Sequence, residues 1–298
     1  MTLNKDTNIL IIGLGVIGGG YAAALSKKGY TVNAITRTYA DIEYAEKRGM
    51  IREGSSQVDE RLVKAADLIV FAVYPTVFIE WIKTYQHLFK SGALLTDVTG
   101  VKSSVVYTVQ ELLRPDLEFI SAHPMAGRES SGVEYSDPNV FQGANYIVTP
   151  TAKNTAEAIA VCKQLGEELG FARISELSPE KHDLMIAFLS QLTHCIAVCL
   201  MNCNDEAGLE KYTGDSFRDL TRIAKINDKM WSELFLLNKQ ALLKEADAFL
   251  EEFKQFRNMI EAGDEEGMRE KMRLSTARRA LFDKPSQVNV IQTSPKSF

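Results

Sequence analysis

The stretch NILIIGLGVIGGGYAAAL, residues 8–25, joins an apolar strand to a helix through closely spaced glycines. Gly13, Gly15 and Gly18 follow the strand with the spacing GxGxxG. Glycines at this spacing allow a tight turn, a close approach of the backbone to a pyrophosphate, and close packing of the helix on the strand. Because the motif opens the first strand–helix–strand unit of the chain, it predicts a dinucleotide-binding fold.

The predicted cofactor contacts lie in this turn and at the end of the second strand, TVNAIT. They are Gly13, Leu14, Gly15, Val16, Ile17, Gly18, Thr36, Arg37 and Thr38. An NAD site would usually place Asp or Glu where Thr36 stands, whereas a guanidinium and two hydroxyls suit a 2′-phosphate. We therefore expect NADP or NAD as the cofactor, with NADP favoured, and the nearby Asp41 keeps NAD open.

Short apolar runs alternate with helical stretches from residue 8 to about residue 174. The predicted strands are NILIIG, TVNAIT, DLIVFAV, ALLTDV, LEFISAH and NYIVTP. Repeated strand–helix–strand order implies a sheet of mainly parallel strands covered on both faces. The fold class is therefore α/β, a Rossmann-type doubly wound and mainly parallel sheet, in a dinucleotide-binding domain of residues 1–176.

Helices alone are predicted beyond the segment SELSPEKHD, with Ser178 as N-cap and Pro179 in the first turn. They run from 178 through 200, around 215–226, over 229–261 and over 264–282. These helices are predicted to form an all-α domain, residues 177–284, that joins two copies as a homodimer, because they carry more apolar surface than one copy can bury. The polar residues 285–298 are predicted to be a flexible tail.

The composition argues against several classes of partner. A formal net charge of −5 disfavours nucleic acid and anionic membranes, which attract basic surfaces. The glycines of residues 9–25 make that run a poor signal-peptide core, and we expect no other stretch to approach the length of a membrane span. The sequence therefore predicts a cytoplasmic protein whose partners are small molecules or proteins, with neither nucleic acid nor membrane as partner.

Cys195, Cys199 and Cys203 recur every four residues and would form one stripe on a helix. A metal site would need closely spaced ligand pairs and a second cluster of His or Cys. We therefore expect no metal, and we interpret the cysteines as small, buried, reduced thiols that pack one helix against another.

The segment HPMAGRESSG, residues 123–132, follows the apolar run LEFISA. Ligands of open α/β sheets bind outside the carboxyl ends of the strands, so His123 is predicted to point into the cofactor cleft. An imidazole titrates near neutral pH and can accept a proton there. The alternative is that His123 is a structural residue with satisfied hydrogen bonds.

Four further motifs accompany HPMAGRESSG: the glycine turn, TDVTGVK at 96–102, HDLMIAFLSQLTH at 182–194 and FRDLTRIA at 217–224. With them the chain resembles the prephenate/arogenate dehydrogenases of tyrosine biosynthesis over nearly its whole length. The resemblance implies an oxidative decarboxylation. Hydride leaves C4 of the cyclohexadiene ring of prephenate, CO2 is lost, and 4-hydroxyphenylpyruvate forms; arogenate would give tyrosine directly.

The resemblance also assigns roles to residues. It implies that His123 hydrogen-bonds the C4 hydroxyl and takes its proton, and that Arg222 holds a substrate carboxylate. The other substrate-binding positions that it implies are His194, Glu129 and Ser190, and most of these candidates lie in residues 177–284, which makes that domain substrate-binding. Gln191 and Thr99 are candidates where the chain departs from the family: Gln191 stands at a histidine of the pattern SHxPH, and Thr99 precedes the place of the family serine. Gly100 stands where the family pattern DxGSVK has its serine.

The spacing within FRDLTRIAK agrees with an anion site. Arg218, Arg222 and Lys225 are spaced by four and three residues, which predicts one basic helical face. A solvated basic stripe is the alternative. His182 would face roughly the same side as His194 and is interpreted as structural, and His87 is given no function.

Three other activities stay open from the sequence. The first is arogenate dehydrogenase. The second is a β-hydroxyacid dehydrogenase or imine reductase, which we disfavour because the helix HDLMIAFLSQLTHCIAVCL lacks a lysine. The third is a non-catalytic NADP sensor, which would need no base in the cleft.

Overall fold

The structure is a computed structural model that describes residues 2–127, 130 and 132–283. The predicted substrate residue Glu129 and the predicted tail, residues 285–298, lie outside the described residues. The chain divides into two compact units, one ending at Glu245 and the other beginning at Ala246. All of the site described below lies in the first unit.

A six-stranded parallel sheet forms the centre of the first unit, with strand order β3-β2-β1-β4-β5-β6. Its strands are β1 Asn8–Ile12, β2 Thr31–Ile35, β3 Glu53–Ser55, β4 Leu68–Phe71, β5 Leu94–Asp97 and β6 Glu118–Phe119. The order reverses at β1, which pairs with β2 on one side and β4 on the other. Such a reversal opens a crevice at the carboxyl edge of the sheet, where ligands bind.

The carboxyl ends of the central strands are level with one another. Ile12 pairs with Ile35 on β2 and with Phe71 on β4, and Phe71 pairs in turn with Asp97 on β5. The loops that follow β1, β2, β4 and β5 therefore emerge along one edge. The edge carries the glycine turn at one position and residues 98–102 at another.

Helices cover both faces of this sheet, as expected for a doubly wound fold. They are α1 Val16–Lys27, α2 Tyr39–Lys47, α3 Glu60–Ala65, α4 Pro75–Tyr85, α5 Ser103–Leu112 and α6 Ala156–Leu169. Alternate strand residues enter opposite cores: Ile9 packs with Tyr21 and Leu165, whereas Leu10 packs in the core that contains Phe78. This alternation follows from the two-residue period of a strand and explains why the strands are apolar throughout.

A second, three-stranded sheet has the order β7-β8-β9, with β7 Ser121–Met125, β8 Asn145–Thr149 and β9 Arg173–Glu176. The first pair is antiparallel and the second is parallel. The sequence predicted LEFISAH as one strand, but it divides at Ile120 into β6 and β7. His123 is therefore the third residue of β7, and its predicted place at the carboxyl end of a strand in the parallel sheet is wrong.

The end of β5 explains this division. The Asp97 carboxylate accepts hydrogen bonds from the Ser121 hydroxyl, at 2.5 Å, and from the Ala122 amide, at 3.2 Å. Hydrogen bonds to the Asp97 side chain thus replace the backbone hydrogen bonds between β5 and its neighbour beyond β6, and the polypeptide continues into the second sheet. The sequence also missed β3, because its three residues include a glycine and form no apolar run.

A continuous helical run follows the second sheet: α7 Pro179–Ile186, a π-helical segment Ala187–Leu192 and α8 Thr193–Asn202. The Ser178 hydroxyl accepts the Lys181 amide at 3.2 Å, which confirms the predicted N-cap. The run Pro179–Asn202 is long and apolar enough to cross a membrane, and 28% of its most apolar 18-residue stretch is buried. The expectation that no such stretch exists was therefore wrong, although one such helix is weak evidence for a membrane.

The remaining helices are α9 Asp215–Thr221, α10 Asp228–Leu237, α11 Lys239–Ala262 and α12 Glu265–Arg279. Short 3₁₀ turns lie at Gln86–Leu88, Val133–Tyr135, Pro138–Phe141, Leu209–Lys211, Arg222–Ala224 and Ala280–Phe282. The predicted helix 229–261 is interrupted at Asn238, whose side chain donates to the Asp183 carbonyl and to Gln191 Oε1. These tertiary hydrogen bonds account for a break that the periodicity did not indicate.

Candidate active site

The glycine turn has the geometry that a pyrophosphate requires. Gly13 has a φ of +98°, and a Cβ built there would lie 2.5 Å from the Ala72 carbonyl oxygen. A Cβ on Gly18 would lie 2.0 Å from the Gly13 oxygen, so the helix packs directly on the turn. A Cβ on Gly15, in contrast, would meet nothing within 4 Å.

Gly15 is also the N-cap of α1, whose first turn has neither a side-chain cap nor an acidic residue. The amide groups at this helix start are therefore open to a ligand and carry the positive end of the helix dipole. Leu14 is buried beneath the turn, and Val16 and Ile17 are partly buried at the helix start. The residues present fit the pyrophosphate of NAD(P), and residues 13–18 would hold it.

The loop after β2 brings the other predicted cofactor residues to the same edge. The Thr36 amide donates to the Ser55 carbonyl at 3.1 Å, while Arg37 and Thr38 are exposed. Within the described residues Arg37 forms no salt bridge. Burial raises the pKa of Asp41 in the first turn of α2, so this carboxyl group is less acidic than usual.

His123 lies close to the carboxyl edge of the parallel sheet, although its strand belongs to the other sheet. Gly100 follows the end of β5, and a Cβ built on Gly100 would lie 3.9 Å from His123 Cε1. The same Cβ would lie 3.4 Å from Leu234 Cδ1 on α10. Strands are about 4.8 Å apart, so the end of β5 is roughly 10 Å from the glycine turn at β1. Gly100 thus lies between His123 and Leu234 of α10, and His123 is within reach of an extended cofactor.

A chain of hydrogen bonds runs from His123 into the interior. His123 Nδ1 lies 2.8 Å from His182 Nε2, and His182 Nδ1 lies 2.9 Å from Asp183 Oδ1. Asp183 in turn accepts the backbone amides of Lys102 and Ser103, each at 2.8 Å. His182 is fully buried and His123 is half-buried. The sequence interpretation of His182 as a merely structural residue overlooked this contact.

Burial lowers the pKa of His123 well below its ordinary value, and the neighbouring His182 and Lys102 lower it further by charge repulsion. Burial also lowers the pKa of His182, although its hydrogen bond with Asp183 opposes this. Burial raises the pKa of Asp183, but the hydrogen bonds from His182 and Ser103 outweigh it and leave that pKa below its usual value. At neutral pH the hydrogen-bonded series His123–His182–Asp183 therefore consists of two neutral imidazoles and one carboxylate.

A buried ion pair supports this arrangement from β5. Lys102 Nζ lies 3.0 Å from Asp97 Oδ2 and donates to the Ala122 carbonyl at 2.7 Å, and both charged side chains are fully buried. The Thr99 hydroxyl donates to Asp97 as well and is buried with it. The structure thus brings Thr99 to the ion pair, and its hydroxyl is directed away from the cleft.

The helical run places His194 beside Trp231 of α10. Their rings are stacked with centroids 3.7 Å apart, and His194 Nδ1 lies 2.8 Å from the Ser190 carbonyl oxygen. Ser190 is half-buried in the π-helical segment. Gln191 is fully engaged between helices, because its Nε2 donates to the Leu234 carbonyl and its Oε1 accepts from Asn238. The structure therefore gives Gln191 a packing role.

The segment that carries the predicted basic face is not one regular helix. α9 ends at Thr221, and Arg222 begins a short 3₁₀ turn that ends before Lys225. Arg218 instead pairs with Asp215 at 3.0 Å on the surface. Arg222 is exposed and remains the candidate carboxylate ligand of this segment.

The cysteine stripe also differs from expectation. Cys199 and Cys203 are exposed and Cys195 is partly buried, so the thiols do not pack one helix against another within this chain. Across residues 2–127, 130 and 132–283, no group of three or more His, Cys, Asp or Glu side chains is arranged to hold a metal ion.

Three residues near the site escaped the sequence reasoning: Asp183, Lys102 and Trp231. Asp183 was visible as the second residue of HDLMIAFLSQLTH and Lys102 as the last residue of TDVTGVK, but neither motif reveals what the side chain contacts. His123 and His182 are 59 residues apart, and only folding brings them together.

The glycine turn, the reversal of strand order at β1 and the histidine pair close to the carboxyl edge are the features of a Rossmann-type dehydrogenase. The family description "Prephenate dehydrogenase, nucleotide-binding domain" matches residues 21–175, and "Prephenate dehydrogenase, dimerization domain" matches residues 178–274.

Individual relatives agree with the family match. The cyclohexadienyl dehydrogenase of Zymomonas mobilis is 32% identical over 94% of this chain and 97% of its own length. The prephenate dehydrogenase of Bacillus subtilis is 30% identical over 90% of this chain and 74% of its own length. The crystal structure of prephenate dehydrogenase from A. aeolicus, in complex with hydroxyphenyl propionate and NAD+, matches with a TM-score of 0.86. It is 30% identical, and the match covers 95% of this chain and 100% of that one.

The chain therefore belongs to the prephenate dehydrogenase family. It is an oxidoreductase, a prephenate or arogenate dehydrogenase with an NAD(P)-binding Rossmann domain.

Proposed function

We propose that the substrate is prephenate and that the enzyme makes 4-hydroxyphenylpyruvate in tyrosine biosynthesis. The observation that carries the proposal is the place of His123, which is half-buried beside the carboxyl edge of the sheet and backed by His182. An unprotonated imidazole at that place can accept the C4 hydroxyl proton while hydride leaves the same carbon. The Bacillus subtilis relative, named a prephenate dehydrogenase, supports the choice of prephenate.

The protein's share of the reaction is positioning and proton transfer. When bound, NAD(P)+ supplies the hydride acceptor. Loss of CO2 makes the ring aromatic, so the protein has little need to stabilise a carbanion; it must hold two carboxylates and align the ring. Arg222 and His194 are proposed to hold the carboxylates, with Ser190 nearby. Glu129 is proposed to stand at the site entrance on the resemblance alone.

We propose NADP as the preferred cofactor. Arg37 and Thr38 are exposed at the end of β2 and could bind a 2′-phosphate. The A. aeolicus structure contains NAD+, so NAD is the alternative that the assay must include.

We propose that the chain has a dinucleotide-binding domain of residues 1–176 and a helical domain of residues 177–284. We also propose that the enzyme is a homodimer joined through the helical domain. The run Pro179–Asn202 exposes a row of large apolar side chains: Leu184, Met185, Phe188, Leu189 and Met201. Burial of this surface against a second copy would also account for its membrane-like hydropathy, so we propose a cytoplasmic location. Sedimentation as a monomer at micromolar concentration would contradict the dimer.

One assay tests the activity. Purified protein is given prephenate or arogenate, each with NAD or NADP, and the absorbance of the reduced nicotinamide is followed. The highest kcat/KM is expected with prephenate and NADP. A preference for arogenate would overturn the substrate proposal.

A His123→Asn variant completes this test. It should lower kcat by about 10²-fold or more with KM little changed, because the proton acceptor is lost while the binding groups remain. A raised KM with an unchanged kcat would make His123 a binding residue.

A further inference from the structure

His182 and Asp183 lie next to His123 on the side away from the cleft, and the proposed reaction does not itself use their side chains. Neither touches the cleft: His182 is fully buried and Asp183 is 5% exposed. A buried imidazole and a buried carboxylate each carry a cost unless they are hydrogen-bonded. His182 is hydrogen-bonded to His123 and to Asp183, and Asp183 also accepts two backbone amides.

Asp183 determines the direction of the chain of hydrogen bonds. It accepts the amides of Lys102 and Ser103 at the start of α5, where the helix dipole stabilises negative charge. The hydrogen bonds hold its pKa below the usual value, so Asp183 is ionised at neutral pH and can only accept. The hydrogen in the 2.9 Å contact must therefore come from His182 Nδ1.

The tautomer of each imidazole then follows. A neutral imidazole has one N–H and one lone pair, so His182 with a proton on Nδ1 presents the lone pair of Nε2. His123 Nδ1, at 2.8 Å, must donate to that lone pair. A neutral His123 that donates through Nδ1 has its own lone pair on Nε2, the nitrogen remote from His182.

The charges around this chain favour the same state. Lys102 and Asp97 form a closed, fully buried ion pair next to the histidines, so their charges largely cancel. Lys102 still disfavours a second positive charge on either imidazole, which helps to keep both neutral before the reaction. When His123 accepts a proton, the Asp183 carboxylate, at the other end of the hydrogen-bonded series, stabilises the new positive charge through His182.

We propose that His182 and Asp183 are positioning residues that fix His123 as the Nδ1–H tautomer, leaving Nε2 as the proton acceptor that faces the substrate. The inference rests on the proposed role of His123 in the reaction. Neither residue is proposed to touch substrate or cofactor.

The first experiment reads the tautomer directly and needs no turnover. The chain has four histidines, so ¹⁵N-labelled histidine with single His variants assigns each ring in an NMR spectrum. At pH 7.5 the shifts should show His123 and His182 neutral and protonated on Nδ1, the minor form of a free histidine. A spectrum with His123 protonated on Nε2 would overturn the proposal, whether or not the protein turns over prephenate.

The second experiment measures the kinetic consequence. His182→Phe keeps a ring of similar size but removes the acceptor, and it should lower kcat about ten- to hundredfold with KM nearly unchanged. His182→Gln offers an amide oxygen to His123 Nδ1 and should recover most of that loss. The exposed His87 provides the matched control, and His87→Gln should change neither quantity.

The two variants separate positioning from packing. If His182 served only packing, the Phe variant would keep its rate, or the Gln and Phe variants would lose it equally; either result contradicts the proposal. Should the Phe variant fail to fold, the NMR measurement on the unaltered protein still decides. Absence of any dehydrogenase activity in the unaltered protein would instead count against the proposed function and leave the tautomer result standing.

Discussion

Trp231 lies flat against His194, with the two ring centroids 3.7 Å apart and the planes inclined by 30°. Because His194 Nδ1 also contacts the Ser190 carbonyl, the imidazole is held on one edge and on one face. Such a ring is held in place before a substrate arrives. The indole therefore belongs to the candidate site, even though no motif in the sequence marked it.

Replacement of Trp231 should weaken substrate binding. An aromatic pair contributes about 0.5–1.5 kcal/mol beyond burial, so Trp231→Leu should raise KM for prephenate about three- to tenfold. Steady-state kinetics measure the effect, and Trp231→Phe, which keeps a ring in contact, serves as the control. An equal KM in the Leu and Phe variants would show that stacking does not orient His194.

Gly15 and Gly18 should respond to alanine in opposite ways. A Cβ on Gly18 would lie 2.0 Å from the Gly13 oxygen, so Gly18→Ala should lower the free energy of unfolding by about 1–3 kcal/mol. A Cβ on Gly15 meets nothing, so Gly15→Ala should fold with a change within about 1 kcal/mol. It should nevertheless weaken cofactor binding at least about tenfold, because the methyl group occupies the space that the phosphates need.

Urea unfolding and cofactor titration by fluorescence provide the two measurements. If Gly15→Ala bound NADP and NAD as well as the unaltered protein does, the turn would not be the pyrophosphate site.

Arg222 should act on substrate affinity. Removal of a charge-assisted pair of hydrogen bonds costs about 1.5–3 kcal/mol, so Arg222→Ala should raise KM about ten- to hundredfold and leave kcat nearly constant. Arg218, which pairs with Asp215 on the surface, is the matched control, and Arg218→Ala should have little effect. Equal effects of the two variants would indicate a diffuse basic surface in place of a specific ligand.

Arg37 should decide between the two cofactors. Arg37→Ala should raise KM for NADP about tenfold or more while KM for NAD stays level, because only NADP carries the 2′-phosphate. Arg48, just beyond the other end of α2 and with its guanidinium over the Tyr44 ring, offers a control arginine away from the β2 loop. Parallel losses for NADP and NAD would remove Arg37 from the 2′-phosphate site.

The acidic limb of the pH profile should lie below pH 6.5. Protonated His123 cannot accept a proton, so kcat/KM falls as this group gains one. Burial lowers its pKa well below the ordinary value of 6.5, so activity should persist as the pH falls through 6.5 and be lost only near the lowered pKa. Steady-state rates from pH 5 to 9 test this, and a limb above pH 6.5 would contradict it.

Local patterns determined a large part of the fold. The glycine spacing after β1 specified the turn, since only glycine tolerates the positive φ at Gly13 and the close packing at Gly18. Alternating apolar runs and helices specified the doubly wound sheet, and Ser178 with Pro179 marked the first helix beyond it. These features depend on residues within a few positions of one another, and a single sequence displays them.

The sequence could also single out His123, because the surrounding motif HPMAGRESSG is local. It could not show that LEFISAH divides at Ile120, because the acceptor that redirects the chain is Asp97, far away in sequence. The break at Asn238 was hidden for the same reason, since the Asn238 side chain is bound to Asp183 and Gln191.

The sequence by itself thus determined the class of fold and the cofactor turn, and it singled out one histidine as the candidate proton acceptor. Only the tertiary structure decided which groups lie next to that histidine, because His182, which contacts it, is 59 positions further along the chain and is itself bonded to Asp183. The physical reason is that backbone conformation and apolar periodicity are set by near neighbours, whereas the protonation of a buried imidazole is set by whichever polar groups share its enclosed space.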